Sequence, residues 1–228
     1  KQAWNQDEIN FQGNYYNFNL PSSPVKPYQQ NGGPLLYFGG QSTGGIDLCA
    51  EFCDVYLMWP DTKDKLKDLM SKMKSKSAKY NRTLQFGLRV HVIVRETENE
   101  AKAYANKLIS KLDLKIGEDL KNRALDSKSL GVSKQTLLRE KADQEYYVEP
   151  NLWTGIGLAR SGCGAAIVGN PEQVFNKIRG YINMGIHAFI LSGYPHHQEC
   201  ELFAKYVLPK LKNVHLPEVL GRVPKTTP

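Results

Sequence analysis

Cysteine is scarce in this sequence and long apolar runs are missing. Cys49, Cys53, Cys163 and Cys200 are the four cysteines in 228 residues, too few and too scattered for a disulfide framework. The gap between the first two is neither a redox C-x-x-C nor, without a second pair, a zinc ribbon. Such usage fits a reducing cytosol, so a cytoplasmic location is expected, and the sequon Asn81-Arg82-Thr83 carries no weight outside a secreted chain. No stretch approaches the roughly 18 uncharged apolar residues of a spanning helix; the longest apolar runs, at 165–168 and 188–191, are strand-sized. Residues 1–13 lack the charged start, apolar core and small-residue cleavage site of a signal peptide, so no leader is expected, although the first residue, lysine rather than methionine, suits a piece of a longer chain.

With 41% apolar and 23% charged residues, the composition is that of a soluble globular protein. Acidic residues are in deficit, 23 against 30 basic, for a net charge of +7, which suits a surface or pocket that attracts anions. Much of the excess is Lys63, Lys65, Lys67, Lys72, Lys74, Lys76, Lys79 and Arg82. Leu66, Leu69, Met70 and Met73 keep a helical apolar stripe there, so the lysines form the opposite, solvated face. No aromatics for base stacking interrupt the lysines, and nucleic acid is not expected as a partner.

The order of the segments is strand then helix, repeated. Residues 34–38 read as a buried strand running into Gly39-Gly40, with a short helical segment at 47–52. A second strand at 54–59 precedes the lysine-faced helix at about 63–79, and a third at 84–95 precedes a helix with Ala101, Tyr104, Ala105, Leu108, Ile109 and Leu112 on one face. Asn170-Pro171-Glu172 is a helix start, with Gly185 as its stop; a fourth strand at 188–192 and a helix at about 197–211 follow. Continuous apolar strands alternating with helices predict parallel strands covered on both faces, an α/β barrel or open sheet. Residues 115–151 are polar and without clear periodicity, longer than an idle connection, and are expected to form a mobile lid. The proline-bearing end of the chain is expected to be a frayed tail.

Period-two alternation in the third strand makes Arg89 and His91 share a face. No acid on that face answers Arg89, so an outside anion or a carboxylate from another strand must. Gly39-Gly40-Gln41-Ser42-Thr43-Gly44-Gly45 joins a strand to a helix, where bare N–H groups and a hydroxyl can hold a phosphate, although it matches neither a Walker loop nor G-x-G-x-x-G, and on local grounds alone a plain glycine turn is the favoured reading. Residues 151–164 are glycine-rich and deliver Arg160 at the end of the lid segment, as loops that close over anions do. Tyr194 and His196 stand just past the last strand, the edge where α/β folds place their sites. Adjacent His196 and His197 diverge on a regular backbone and lack a clear carboxylate partner, so no metal is expected.

Three separated motifs carry a resemblance. Phe86-Gly87-Leu88-Arg89-Val90-His91-Val92-Ile93-Val94-Arg95-Glu96-Thr97, Pro150-Asn151-Leu152-Trp153 with its glycine-rich continuation through Arg160, and Leu191-Ser192-Gly193-Tyr194-Pro195-His196 closely resemble the reduced-FMN-dependent alkanesulfonate monooxygenases of the bacterial luciferase-like group. The likeness runs from about residue 11 to 211. It implies a luciferase-like (β/α)8 TIM barrel that uses reduced FMN and dioxygen to turn an alkanesulfonate into aldehyde and sulfite, with the flavin supplied by an NAD(P)H-dependent FMN reductase. It also implies that Arg89, His91, Arg160 and Tyr194, with His196 nearby, face substrate, and that Gly39, Gly40, Gln41 and Ser42 hold the flavin phosphate. Relatives often carry two successive serines where this chain has Gln41-Ser42. A full barrel takes about 250 residues and four core strands are legible here, so the expected α/β fold is the C-terminal half to two-thirds of one barrel. Residues 1–215 are then one domain with a lid at about 115–160, and 216–228 a flexible tail. The fragment alone is expected to be inactive, and the full-length protein a homo-oligomer without membrane contact. Another luciferase-like monooxygenase, a deazaflavin oxidoreductase or a non-catalytic flavin-binding fragment are the alternatives.

Overall fold

The computed structural model describes residues 1–123, 128–158 and 164–224. In chain order the elements are α1 (Gln2–Asn5), β1 (Glu8–Gln12), β2 (Asn17–Pro21), β3 (Tyr37–Phe38), α2 (Thr43–Phe52), β4 (Val55–Met58), α3 (Lys63–Ala78), β5 (Gln85–Val94), α4 (Glu98–Ile109), α5 (Leu114–Arg123), α6 (Leu130–Glu140), β6 (Tyr147–Glu149), β7 (Leu152–Trp153), β8 (Ala166–Gly169), α7 (Pro171–Asn183), β9 (Ile186–Ser192), α8 (His196–Tyr206) and α9 (Leu216–Val219). Among the described residues no helix is long and apolar enough to cross a membrane.

Two compact units result, one of Lys1–Leu36 with the described residues from Asn213, the other Tyr37–Lys212. The first holds an antiparallel hairpin of β1 and β2, with Glu8 opposite Pro21 and Gln12 opposite Asn17. In the stretch read as a flexible tail, α9 forms a turn of helix and Arg222 is tied back: Gln30 N–H donates to its carbonyl at 2.7 Å and its Nη1 donates to Gly33 O at 3.0 Å. The contacts therefore divide the chain at 36/37 and 212/213, not at 215, because the polar returning segment finds its partners in the first 36 residues.

The second unit is organised around β5, whose ten residues are the longest strand. Gln85 N–H donates to Asp54 O, His91 N–H to Ala165 O and Arg95 N–H to Gly169 O. N–H groups two residues apart point to the same edge of a strand, so β4 and β8 lie one after the other along one edge of β5. The parallel strand β9 takes the other, with Gly87 opposite Ala188 and His91 opposite Ser192. Parallel strands β3, β4, β5 and β9 thus form an arc with helices between them, the part-barrel that the family resemblance implied, while β8, β7 and β6 extend the upper part of β5 and pair antiparallel beyond β8.

Local chemistry sets the helix starts. Thr97 with Glu100 and Asn170 with Gln173 form reciprocal capping boxes for α4 and α7, and Pro171 sits at the first helical position, where its missing N–H costs nothing. In α3 the stripe Leu66, Met70, Met73 and Ser77 is buried. A core cluster of Ile93, Ala101, Ala105, Trp153, Ile156, Ala166 and Val168 packs against Tyr104 and Tyr194; each fully buried large side chain there stabilises by about 1.5–3 kcal/mol.

The structure adds elements the sequence reading left out. The strand β8 takes up most of the apolar run 165–168 and ends on Gly169; the run is strand-sized but has no period to assign it. Within 115–151 the chain forms the helix α6 and most of α5, plus β6, in place of an aperiodic segment. The buried set of α6 is Val132, Gln135 and Leu138, whereas Leu130 and Leu137 are exposed, so the apolar pattern is blurred at both ends.

Candidate functional site

The turn after β3 is held tightly. Tyr56 donates its hydroxyl to Gly40 O at 2.9 Å, and a Cβ at Gly40 would stand 2.8 Å from the Phe38 ring, so that position needs glycine. Ser42 caps α2 by accepting from Gly45 N–H at 3.2 Å. Gly39, Gly40, Gln41 and Ser42 line a cleft of about 580 Å³ together with Leu57, Trp59 and Arg89. Its far wall is Ser129, Leu130 and Gly131, the start of α6, where Ser129 accepts from Val132 N–H. Two helix N-termini and one guanidinium therefore meet in one space, and each favours an anion. Arg89 is exposed in the cleft, not interior as the strand pattern had it, and has no carboxylate partner among the described residues.

Three other sequence candidates form a ring stack. His91, 5% exposed, meets Ser192 Oγ through Nδ1 at 3.1 Å, as the β5–β9 register requires. Its ring lies 5.4 Å from that of Tyr194, nearly parallel, and Tyr194 meets His196 edge-on at 5.0 Å. Behind Tyr194, Tyr104 donates its hydroxyl to Tyr194 O at 3.0 Å, its ring packs 3.7 Å from the Arg95 guanidinium, and Arg95 forms a bidentate pair with Glu199 at 2.6 and 3.1 Å. Arg160 lies outside the described residues. Among the described residues, no group of three His, Cys, Asp or Glu side chains is placed to hold a metal ion.

The sequence reading missed Trp59 and the α6 N-terminus. Trp59 follows a strand at the edge where such folds place their sites, and Ser129 before Leu130 is an N-cap signal, so both were findable. Beside Trp59, burial pushes the Asp61 carboxyl above the usual aspartate range, against the pull of Lys141, Lys134 and Lys65. A raised folded pKa means that the folded state holds its proton to higher pH than the unfolded chain, so the ionised Asp61 costs stability at neutral pH. Asp61→Asn is accordingly expected to raise Tm at about pH 7, with the gain fading as pH falls through the raised folded value and gone below the ordinary aspartate value of about 3.9. Thermal melts across that range check it; a gain independent of pH would contradict the assignment.

The chain is 56% identical over 229 residues to a sulfoquinovose monooxygenase of Agrobacterium fabrum, covering 100% of this chain and 60% of that protein. It is 52% identical over 209 residues to a sulfoquinovose monooxygenase of Novosphingobium aromaticivorans, covering 92% and 58%, so it spans about 60% of the length of these curated relatives. Among solved structures it is similar to DmoA from Hyphomicrobium sulfonivorans (TM-score 0.69, 15% identity, 98% of this chain and 49% of that one) and to the long-chain alkane monooxygenase LadA (0.66, 19%, 97% and 49%). These likenesses establish the fold as part of a TIM-barrel-type α/β structure. The sequence model of the luciferase-like monooxygenases matches residues 1–188, and the chain belongs to that family.

Proposed function

We propose that this chain is the larger part of a reduced-FMN-dependent monooxygenase that cleaves the carbon–sulfur bond of a sulfonated sugar, sulfoquinovose, and releases sulfite. The alkanesulfonate expected from the motifs becomes the second choice, because the curated relatives at 56% and 52% identity are named for sulfoquinovose. The observation that carries the reading is Arg89, a cation without a described carboxylate partner, in the same cleft as the bare glycine turn.

The residues fit a flavin nucleotide. The glycine turn leaves backbone exposed where a side chain would crowd Phe38, and the starts of α2 and α6 suit a phosphate dianion. Reduced FMN, when bound, supplies the electrons and activates dioxygen. Arg89, joined by Arg160 if the family likeness holds, neutralises the sulfonate through charge-assisted hydrogen bonds. Trp59 offers an apolar face to the carbon skeleton of the sugar. Tyr194 holds a proton at an oxygen of the substrate, and His91, its ring fixed by Ser192, exchanges protons within the stack. Residues 115–160 act as a lid, which the position of the α6 N-terminus in the cleft wall supports; closure keeps water from the reaction. A separate NAD(P)H-dependent reductase supplies the flavin.

Sulfite trapping by a thiol reagent tests this in the intact protein with an FMN reductase and NADPH. Sulfoquinovose is expected to exceed hexanesulfonate in kcat/KM by about tenfold or more, since an unfilled set of sugar-binding groups is left unpaired with the plain chain. No sulfite from either would sink the reading, and a preference for hexanesulfonate would return it to alkanesulfonates.

A further inference from the structure

The far wall of the Arg89 cleft is the first turn of α6, and that helix carries a polar residue where its packing calls for an apolar one. Its buried side chains are Val132, Gln135 and Leu138. Gly131, Gln135 and Leu138, spaced i, i+4, i+7, share one face. A Cβ at Gly131 would stand 3.3 Å from Trp59 Cζ3, so the helix backbone lies against the indole. One turn on, Gln135 Nε2 donates to Pro60 O, in the loop after β4, at 3.0 Å. A carbonyl only accepts, so the amide oxygen points the other way, onto Gly164 just before β8. A Cβ there would stand 2.1 Å from Gln135 Oε1 and 3.2 Å from Pro60 Cδ. That oxygen is buried and meets no donor among the described residues. Gln135 is thus wedged between the loop after β4 and the approach to β8, making one buried hydrogen bond and stranding one acceptor.

For folding alone this is a poor choice, because a leucine would fill the space without a stranded oxygen, whose desolvation offsets the neighbouring bond. For a helix that moves it is well suited. Closed, α6 gains the bond to Pro60 O; lifted, it returns the amide oxygen to water, so neither position is strongly favoured. Val132 and Leu138 are the apolar side chains buried in its eleven residues, which leaves α6 at the weakly held end of the fold. We propose that Gln135 is the latch of the cleft, a positioning residue that seats α6 against Trp59 and so places Ser129, Leu130 and Gly131 opposite Arg89. Gly164 stays free of a Cβ to admit it. This role rests on the reading of residues 115–160 as a lid.

Hydrogen exchange read by peptide mass spectrometry in the intact protein tests the latch. Gln135→Glu keeps the shape and sets a carboxylate against a carbonyl. At about pH 7.5 its α6 amides are expected to exchange about tenfold faster than in the wild type, with those of α4 and α7 unchanged. At about pH 5 a buried carboxyl, raised above the ordinary glutamate value of about 4.3, regains its proton and with it a donor for Pro60 O, so the difference should close. Asp61, Lys65, Lys134 and Lys141, the charged groups around the space between α6 and α3, are common to both proteins, and comparison at each pH cancels their titration. Gly164→Ala keeps Gln135 but fills its seat, and should speed α6 exchange at both pH values. In turnover at about pH 7.5 both variants should release about threefold less sulfite per dioxygen consumed, a ratio that loss of folded protein cannot change. Exchange in α6 that matches the wild type in both variants overturns the latch. So does acceleration shared equally by α4 and α7, or faster exchange with an unchanged ratio of sulfite to dioxygen. Absence of sulfite from the wild type is a failure of the proposed function and shows before any variant is made, whereas failure of the latch shows in the α6 amides.

Discussion

Arg89→Met is expected to lower kcat/KM for sulfite release by roughly a hundredfold or more while leaving Tm almost unchanged. A charge-assisted hydrogen bond to a desolvated anion contributes about 1.5–3 kcal/mol, and about 1.4 kcal/mol corresponds to a factor of ten in rate. Methionine keeps the length of the side chain and removes the charge. Because Arg89 is exposed in its cleft and pairs with no described carboxylate, the substitution breaks no ion pair of the described fold. Its effect on stability should stay within about 0.5 kcal/mol, as for other surface positions. Flavin binding should persist, since the glycine turn and the two helix starts are untouched. Paired measurements of sulfite release and thermal unfolding separate the readings: a loss of several kcal/mol of stability with the loss of activity would make Arg89 a structural cation.

Arg89 also illustrates how far the sequence could be read. Alternation along a strand is a strong signal, so the shared face of Arg89 and His91 follows from residue numbers alone, and the two do sit two residues apart on β5 with Ser192 opposite His91. The glycine turn was legible because a strand, four small or polar residues and a helix start are local features. Their meeting with Arg89 in one cleft was not. It depends on β3 and β5 flanking β4, a pairing that local pattern does not specify.

The polar stretch from 115 to 151 was harder for a different reason. In α6 a glutamine occupies a core position and leucines face outward, so hydrophobic periodicity points weakly at a helix. Of the two leucines that blur the pattern, Leu130 lines the Arg89 cleft and Leu137 lines a smaller cavity between α6 and α3. A stripe that looks poorly amphipathic when one solvent-facing side is assumed becomes regular once a cavity wall is counted as a third environment. The strand β8 was short for the same kind of reason: four apolar residues bounded by glycines carry no period, and its pairing with β5 extends a strand already assigned.

The largest stability effect should come from behind Tyr194. The Glu199 side chain is 3% exposed and that of Arg95 17%, and Arg95 fills both oxygens of Glu199 while lying against the Tyr104 ring. Glu199→Leu leaves the guanidinium half-buried and uncompensated, and is expected to cost about 3–5 kcal/mol, or roughly 6–20 °C in Tm for a chain of this size. The double variant Arg95→Met, Glu199→Leu removes both charges and should recover most of that loss, because an apolar pair of similar volume is often neutral in such a position. Activity should not recover with it. Tyr104 holds Tyr194 through its carbonyl and is itself held flat by Arg95, while Gly193 packs so closely on Glu199 that a Cβ would stand 2.5 Å from the glutamate Cβ. The ion pair is therefore a positioning device for the ring stack, and the double variant should fold well yet show a reduced kcat with KM little changed. Restored stability with fully restored kcat would confine the pair to a structural role; stability that stays low in the double variant would mean that the packing around Gly193, and not the unpaired charge, carries the cost.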